Sequence, residues 1–390
     1  MTQLPETARR MGRIQPFYVM ELLARARELE SRGRSIIHME VGEPDFPTPR
    51  PVVRAGADAL REGHIHYTPA KGIPELRRAI ADFYRKRYGV AVDPQRVVVT
   101  PGSSGALQLV MGALVDPGDE VLMADPSYPC NRHFAYLAGG EALAVPVGPE
   151  TGYQLTPDLV ERHWGERTKM VMVASPSNPT GTLLDPEALA GIHRVVRARG
   201  GVLLVDEIYQ GLTYGVGERS ALEVADDLFV INSFSKYFGM TGWRLGWMVA
   251  PACYVDAVDR LAQNIFLSPP TVSQQAAMAA FSDDTLAILE ERRRQFEARR
   301  DYLLPALRSL GFDIPATPRG AFYLYADCSR FTSDSFDFAM RLLEEEGVAV
   351  TPGKDFGFNR PHQHLRFAYT TGLDKLQEGI GRITRFIGKA

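Results

Sequence analysis

The stretch MVMVASPSNPTGTLLDPEALAGIHRVVRARGGVLLVDEIY, running from Met170 to Tyr209, decides the fold. It opens on a short apolar run, MVMVA (Met170 to Ala174), and closes on another, VLLVD (Val202 to Asp206). Both are apolar on two faces, as parallel strands are when helices cover them on either side. Between them PEALAGIHRVVRARG has helical spacing and stops at the Gly200 and Gly201 pair. Strand, helix, strand is a crossover unit, and such crossovers are right-handed.

The same alternation extends in both directions. RVVVT (Arg96 to Thr100) and EVLMA (Glu120 to Ala124) come before, and LFVIN (Leu228 to Asn232) and RLGWMVA (Arg244 to Ala250) come after. Strands alternating with helices predict an α/β fold with a mostly parallel sheet between helices. The flanks read differently. A helix over Val19 to Arg32 leads into the Gly/Pro-rich VGEPDFPTP. Near the other end a long charged helix from Asp284, kinked near Pro305, precedes a strand (GAFYLYADCS), a helix (FDFAMRLLEEEGV) and a strand (HLRFAYT). The expected layout is a large domain over residues 48–284 and a smaller α+β domain assembled from residues 1–47 and 285–390.

Composition narrows the function classes. The 390 residues suit two domains of ordinary globular make-up, 45% hydrophobic and 23% charged. Forty-four basic against forty-seven acidic side chains leave a formal charge of −3, which asks for neither nucleic acid nor an anionic membrane. Three widely spaced cysteines, Cys130, Cys253 and Cys328, indicate neither a disulfide framework nor a thiolate metal site. The pairs His64/His66 and His362/His364 have no carboxylate or thiolate in a ligand spacing nearby, so no metal is expected. No apolar run nears the roughly 20 residues of a membrane span. The N-terminus lacks a basic-then-apolar signal pattern, and a cytoplasmic protein is expected.

In open α/β sheets, ligands bind beyond the carboxyl ends of the strands, so the residues just after each run matter most. RVVVT is followed by PGSSGAL, EVLMA by DPSYP, MVMVA by SPSNPTG and LFVIN by SFSK; VLLVD ends in Asp206 with Tyr209 close behind. One sheet edge thus receives Ser103, Ser104, Tyr128, Asn178, Asp206, Tyr209, Ser233, Ser235 and Lys236. A Gly/Ser turn opening a helix offers N–H groups to a phosphate. Arg244, at the start of its strand, could close on the same phosphate. Lys236 is one of only seven lysines among the forty-four basic residues. A crowded or cation-flanked amine loses its proton readily, which suits Schiff-base chemistry. Asp206 could pair with a protonated ring nitrogen, Tyr209 and Asn178 with a ring hydroxyl, and Tyr128 could stack on the ring. Phosphate, aldehyde, protonatable pyridine and phenolic oxygen together describe pyridoxal 5′-phosphate. Singly, each residue has a plainer reading as a turn, a helix cap, a packing ring or a solvated charge. Their coincidence, in order, at consecutive strand ends is what points to a cofactor.

With those residues the chain resembles the fold-type I, class I and II aminotransferases of the aspartate aminotransferase superfamily, from VGEPDFPTP at Val41 to LRFAYT at Leu365. The most specific stretch is SFSKYFGMTGWRLGW, Ser233 to Trp247. The resemblance implies Lys236 as the Schiff-base lysine and Arg244 as the phosphate-binding arginine, assisted by Ser103, Ser104, Ser233 and Ser235. It implies Asn178 and Tyr209 on the phenolic oxygen, Asp206 on the pyridine nitrogen and Tyr128 against the ring. Tyr67, in HYTPAKGIPELR, would reach the phosphate of a neighbouring subunit, so a homodimer is implied. Arg366, in LRFAY, would clamp the substrate α-carboxylate, with Gly42, Tyr128 and Asn178 also facing the substrate.

The implied activity is transfer of an amino group between an L-amino acid and a 2-oxo acid, by a ping-pong route. A pyridoxal-phosphate lyase of the same fold, a β C–S lyase or an aminocyclopropane-carboxylate synthase, would use the same cofactor residues and is the alternative. No strand–GxGxxG–helix unit is present, which argues against a nicotinamide dehydrogenase. A transcription regulator carrying an aminotransferase-like domain would need a DNA-binding module first. With VGEPDF starting at Val41, none is expected.

Overall fold

The apolar runs come together as one sheet in the computed structural model, which describes residues 6–389. Residues 1–5 and 390, at the outer ends of the expected small domain, lie outside the described residues. Strand β1 (Ile37–His38) belongs to a smaller sheet. The main sheet holds β2 (Val97–Thr100), β3 (Glu120–Asp125), β4 (Glu141–Pro146), β5 (Thr168–Ala174), β6 (Val202–Asp206), β7 (Phe229–Ser233) and β8 (Gly246–Val249). Their order is β2-β8-β7-β6-β5-β3-β4. Every pairing is parallel except those of β8, which is antiparallel to both neighbours. The carboxyl ends of the parallel strands and the amino end of β8 therefore share one edge.

Two details differ from the sequence reading. Arg244 does not begin a strand: β8 starts at Gly246, and Arg244 sits in the left-handed region (φ 51°) after the 3₁₀ turn Thr241–Trp243. The chain must reverse there to send β8 back between β7 and β2. Strand β4 was not among the apolar runs, because EALAVP lies at the sheet edge, half-exposed along most of its length.

Strands β2, β6 and β7 are buried along their whole length. Alternate side chains enter opposite cores: Val97, Val99, Leu203 and Val205 one, Val98 and Leu204 the other. The crossover helix Pro186–Ala198 ends just before Gly200, whose φ of 71° permits the stop.

The two ends of the chain meet. Beside β9 (Tyr323–Asp327), β10 (Val348–Ala349), β11 (Thr351–Pro352) and β12 (His364–Ala368) complete the smaller sheets. β1 pairs in parallel with β10, and β11-β12-β9 is antiparallel. The helices Tyr18–Ser31, Ser335–Glu346 and Leu373–Lys389 pack around these strands. The charged helix Asp283–Leu310 runs on through Pro305 to its stop at Gly311.

Candidate active site

A cavity of about 280 Å³ opens at the shared edge. Every site residue singled out in the sequence lines it except Tyr67, which is 82% exposed and stands away from it. A larger cavity of about 750 Å³ opens around Glu207 and Gln210, next to Asp206 in sequence but on the opposite face of the chain. It holds no lysine and none of those residues, which gather in the smaller cavity.

Lys236 reaches this cavity because the chain turns sharply after β7. The Ser233 hydroxyl accepts the Ser235 N–H at 3.0 Å, and Phe234 is buried against Phe238 and Trp247. That anchor leaves Ser235 and Lys236 facing the opening. The Lys236 ammonium donates to the Gly42 carbonyl at 2.7 Å. Burial, with Arg366 adding like-charge repulsion, brings the amine down to about 8.

Asp206 ends β6 with 5% of its surface exposed. Its Oδ1 accepts the Ile208 N–H at 3.0 Å, so the plain reading as a turn cap holds for one oxygen. No hydrogen bond from the described residues reaches Oδ2. Burial pushes this carboxyl up to about 7, against the pull of the Ile208 N–H and Lys236. An acid poised there can hold or release a proton near neutrality.

At one end of the cavity lie Ser103 and Ser104, in the first turn of the helix Gly102–Leu114. Ser233, Ser235 and Arg244 stand close by. The packing is tight. A Cβ on Gly102 would come within 2.6 Å of Arg244 Nη2, and one on Gly246 within 2.7 Å of the Ser103 nitrogen. Free helix N–H groups, hydroxyls and a guanidinium at that spacing fit a phosphate dianion.

Across the cavity, Arg366 is 5% exposed. It donates to Asn178 Oδ1 at 3.0 Å, to the Glu40 carbonyl at 2.6 Å and to Thr351 Oγ1 at 3.2 Å. These are neutral acceptors; no carboxylate among the described residues pairs with it, and its Nε is buried without a partner. Tyr128 stands just before the helix Pro129–Ala138, at its N-cap position without a side-chain capping bond, and stacks on Phe17, ring centroids 6.5 Å apart.

The residues 34–383 match the family model described as aminotransferase class I and II. The valine–pyruvate aminotransferase of Mycobacterium tuberculosis is 41% identical over 372 residues, covering 95% of this chain and 96% of its own. The aspartate/prephenate aminotransferase of Thermus thermophilus is 36% identical over 386 residues, covering 98% and 99%. A crystal structure of an aminotransferase from Mycobacterium tuberculosis superposes with a TM-score of 0.96 at 39% identity, covering 99% of this chain and 100% of that one. This chain belongs to the class I and II aminotransferases. The relatives named are aminotransferases, which does not favour the lyase alternative.

Several residues lining this cavity escaped the sequence reading. Tyr323 enters the cavity from β9, with its hydroxyl 2.8 Å from that of Tyr209. In GAFYLY it is one aromatic in an aromatic strand, and nothing in the spacing sets it apart. Phe17, Val19, Met20 and Leu23 form an apolar wall. Their helix start is held by Asp355, whose carboxylate accepts the Tyr18 and Val19 N–H groups at 2.7 and 2.9 Å. Positions at helical spacing read as core, and only the fold turns this face toward the cavity.

Proposed function

We propose that the enzyme is a pyridoxal 5′-phosphate-dependent transaminase working by a ping-pong route between an L-amino acid and a 2-oxo acid. The observation that carries this is the single cavity shared by a buried lysine with a lowered pKa, a buried carboxyl, a turn of helix N–H groups and hydroxyls beside an arginine, and a second arginine, Arg366, that forms no salt bridge among the described residues.

In this reading residues 48–284 form the cofactor-binding domain, and residues 1–47 and 285–390 the small domain. Ser103, Ser104, Ser233, Ser235 and Arg244 hold the phosphate, Asp206 the ring nitrogen, and Asn178 and Tyr209 the phenolic oxygen, with Tyr128 against the ring face. Lys236 is the attachment point. When bound, the cofactor supplies an electron sink for the pair left by a broken C–H bond. Arg366, with Gly42 and Asn178 beside it, binds the substrate α-carboxylate and so orients its α-hydrogen. Lys236 Nζ then takes that proton and later returns it, as base and then acid. An amine titrating near 8 has a substantial neutral fraction at physiological pH. Asp206 keeps the ring nitrogen's proton in place.

Side-chain preference follows from the wall. Phe17, Val19, Met20 and Leu23 are apolar, and the cations lining the cavity are Lys236, Arg244 and Arg366, each already assigned. Amino donors with apolar side chains fit this wall. The relative named a valine–pyruvate aminotransferase supports the same reading.

The working unit is a cytoplasmic homodimer in this proposal. Tyr67 is exposed together with Leu60 (60%) and Ile65 (45%), an apolar stretch suited to a second copy that would receive its hydroxyl.

A half-reaction decides the activity. Enzyme loaded with cofactor and given an amino acid alone should release one equivalent of 2-oxo acid per site and leave pyridoxamine phosphate. Continuous release of product from the amino acid alone would identify a lyase instead.

A further inference from the structure

Tyr323 and Tyr209 share one hydrogen bond, hydroxyl to hydroxyl at 2.8 Å, and both rings are buried. Neither hydroxyl bonds any other group among the described residues. Two phenols carry two protons, and their mutual bond uses one. The remaining proton belongs to whichever phenol accepts, and that phenol can donate into the cavity.

Two features make Tyr323 the donor within the pair. The Arg366 guanidinium stands 4.3 Å from the centre of its ring. A cation over the ring face draws electron density from the phenol and strengthens its O–H as a donor. Burial pushes both phenols up and Arg366 pulls both back, and the guanidinium lies over the Tyr323 ring. The second feature is steric. Gly42 lies so close to the Tyr323 hydroxyl that a Cβ there would overlap the oxygen, which closes that side to any other partner.

We propose that Tyr323 is a positioning residue which, by donating to Tyr209, commits the Tyr209 proton to the cofactor's phenolic oxygen. Arg366, Tyr323 and Tyr209 then form a continuous line from the carboxylate clamp to the ring. The inference rests on the pyridoxal-phosphate reading of this cavity.

The test is the pH titration of visible absorption in the cofactor-loaded enzyme. A donor on the phenolic oxygen stabilises its anionic form, so removing that donor raises the titration midpoint. Tyr323→Phe keeps the ring and its contact with Arg366 and should raise the midpoint by about half to one pH unit. Tyr209→Phe should raise it at least as far, and adding Tyr323→Phe to Tyr209→Phe should change nothing more, because Tyr323 acts through Tyr209. A yellow Tyr323→Phe protein with the wild-type midpoint overturns the inference, and so does an equal shift in both backgrounds. A wild-type protein that takes up no yellow cofactor overturns the functional reading and this inference with it.

Discussion

Arg366 donates through Nη1 to Oδ1 of Asn178 at 3.0 Å, a bond that joins β12 to the loop after β5 across 188 positions of sequence. It ties the layer built from the chain ends to the edge of the main sheet. It also fixes a guanidinium in a buried wall with its Nε unpaired and only neutral acceptors around the rest. A cation held that way is prepared for an incoming anion.

Replacing this arginine tests the clamp. A carboxylate bound by two parallel hydrogen bonds needs the planar fork, which Lys cannot reproduce. Arg366→Lys should lower kcat/KM for all amino-acid donors together and leave cofactor affinity unchanged. An amine lacking the carboxylate should be disfavoured by about 2–5 kcal/mol against its parent amino acid. Equal competition by such an amine, or normal efficiency in Arg366→Lys, would remove the clamp role.

Lys236→Ala should abolish turnover while keeping the fold. Borohydride treatment of the loaded wild type should fix the cofactor to a peptide containing Lys236, and a reduced adduct at another lysine would sink the assignment. The lowered pKa gives the pH direction. The neutral amine gains population as pH rises through about 8, so cofactor uptake by the cofactor-free protein should speed up across that range. A rate flat from pH 7 to 9 would speak against Lys236 as the attacking group.

Asp206 carries two expectations. Removing its charge in Asp206→Asn or Asp206→Ala should cost at least about 10²-fold in kcat, or about 2.7 kcal/mol of barrier. A variant within about threefold of wild type would leave Asp206 as a turn cap only. Its carboxyl is raised to about 7 in the folded, cofactor-free chain. The folded state therefore holds a proton that the unfolded state has already lost, and stability falls as pH rises from about 4 to 7. Asn does not ionise, so the stability of Asp206→Asn relative to wild type should improve from pH 5 to pH 8, as thermal unfolding can show. The same difference at both pH values would refute this.

Tyr67 is expected to act across a dimer. Light scattering at assay concentration should give twice the chain mass. Tyr67→Phe should weaken cofactor binding by roughly 1 kcal/mol, the worth of one hydrogen bond, without changing assembly. A fully active monomer would leave Tyr67 without that role.

The apolar wall predicts the order of donors. Leucine or phenylalanine should exceed aspartate in kcat/KM by about tenfold or more, since a side-chain carboxylate would be desolvated there without a cation. Aspartate as the best donor would mean that a cation reaches the wall from outside this chain.

The parallel core of this protein was legible because a strand buried on both faces must be apolar throughout. That requirement is local, and runs such as MVMVA and VLLVD satisfy it openly. The residues after each run were legible for a related reason. Parallel strands deliver their carboxyl ends to one edge, so Ser103, Tyr128, Asn178, Asp206 and Lys236 had to converge once the sheet was granted. The half-exposed edge strand β4 and the two-residue strands β1, β10 and β11 carry too little pattern to be seen.

Tertiary structure alone decided the rest, because it depends on approach across long sequence separations. The reversal at Arg244, which makes β8 antiparallel and brings the guanidinium back to the shared edge, follows from sheet order and not from its neighbours in the chain. The apolar face from Phe17 to Leu23 would read the same whether it met a core or a cavity. Tyr323 meets Tyr209 from 114 residues away and Arg366 from the adjoining strand β12, and no local periodicity records such a meeting. Residue types and order along the chain determined what chemistry was available. Packing decided which groups lost water and therefore which protons could move.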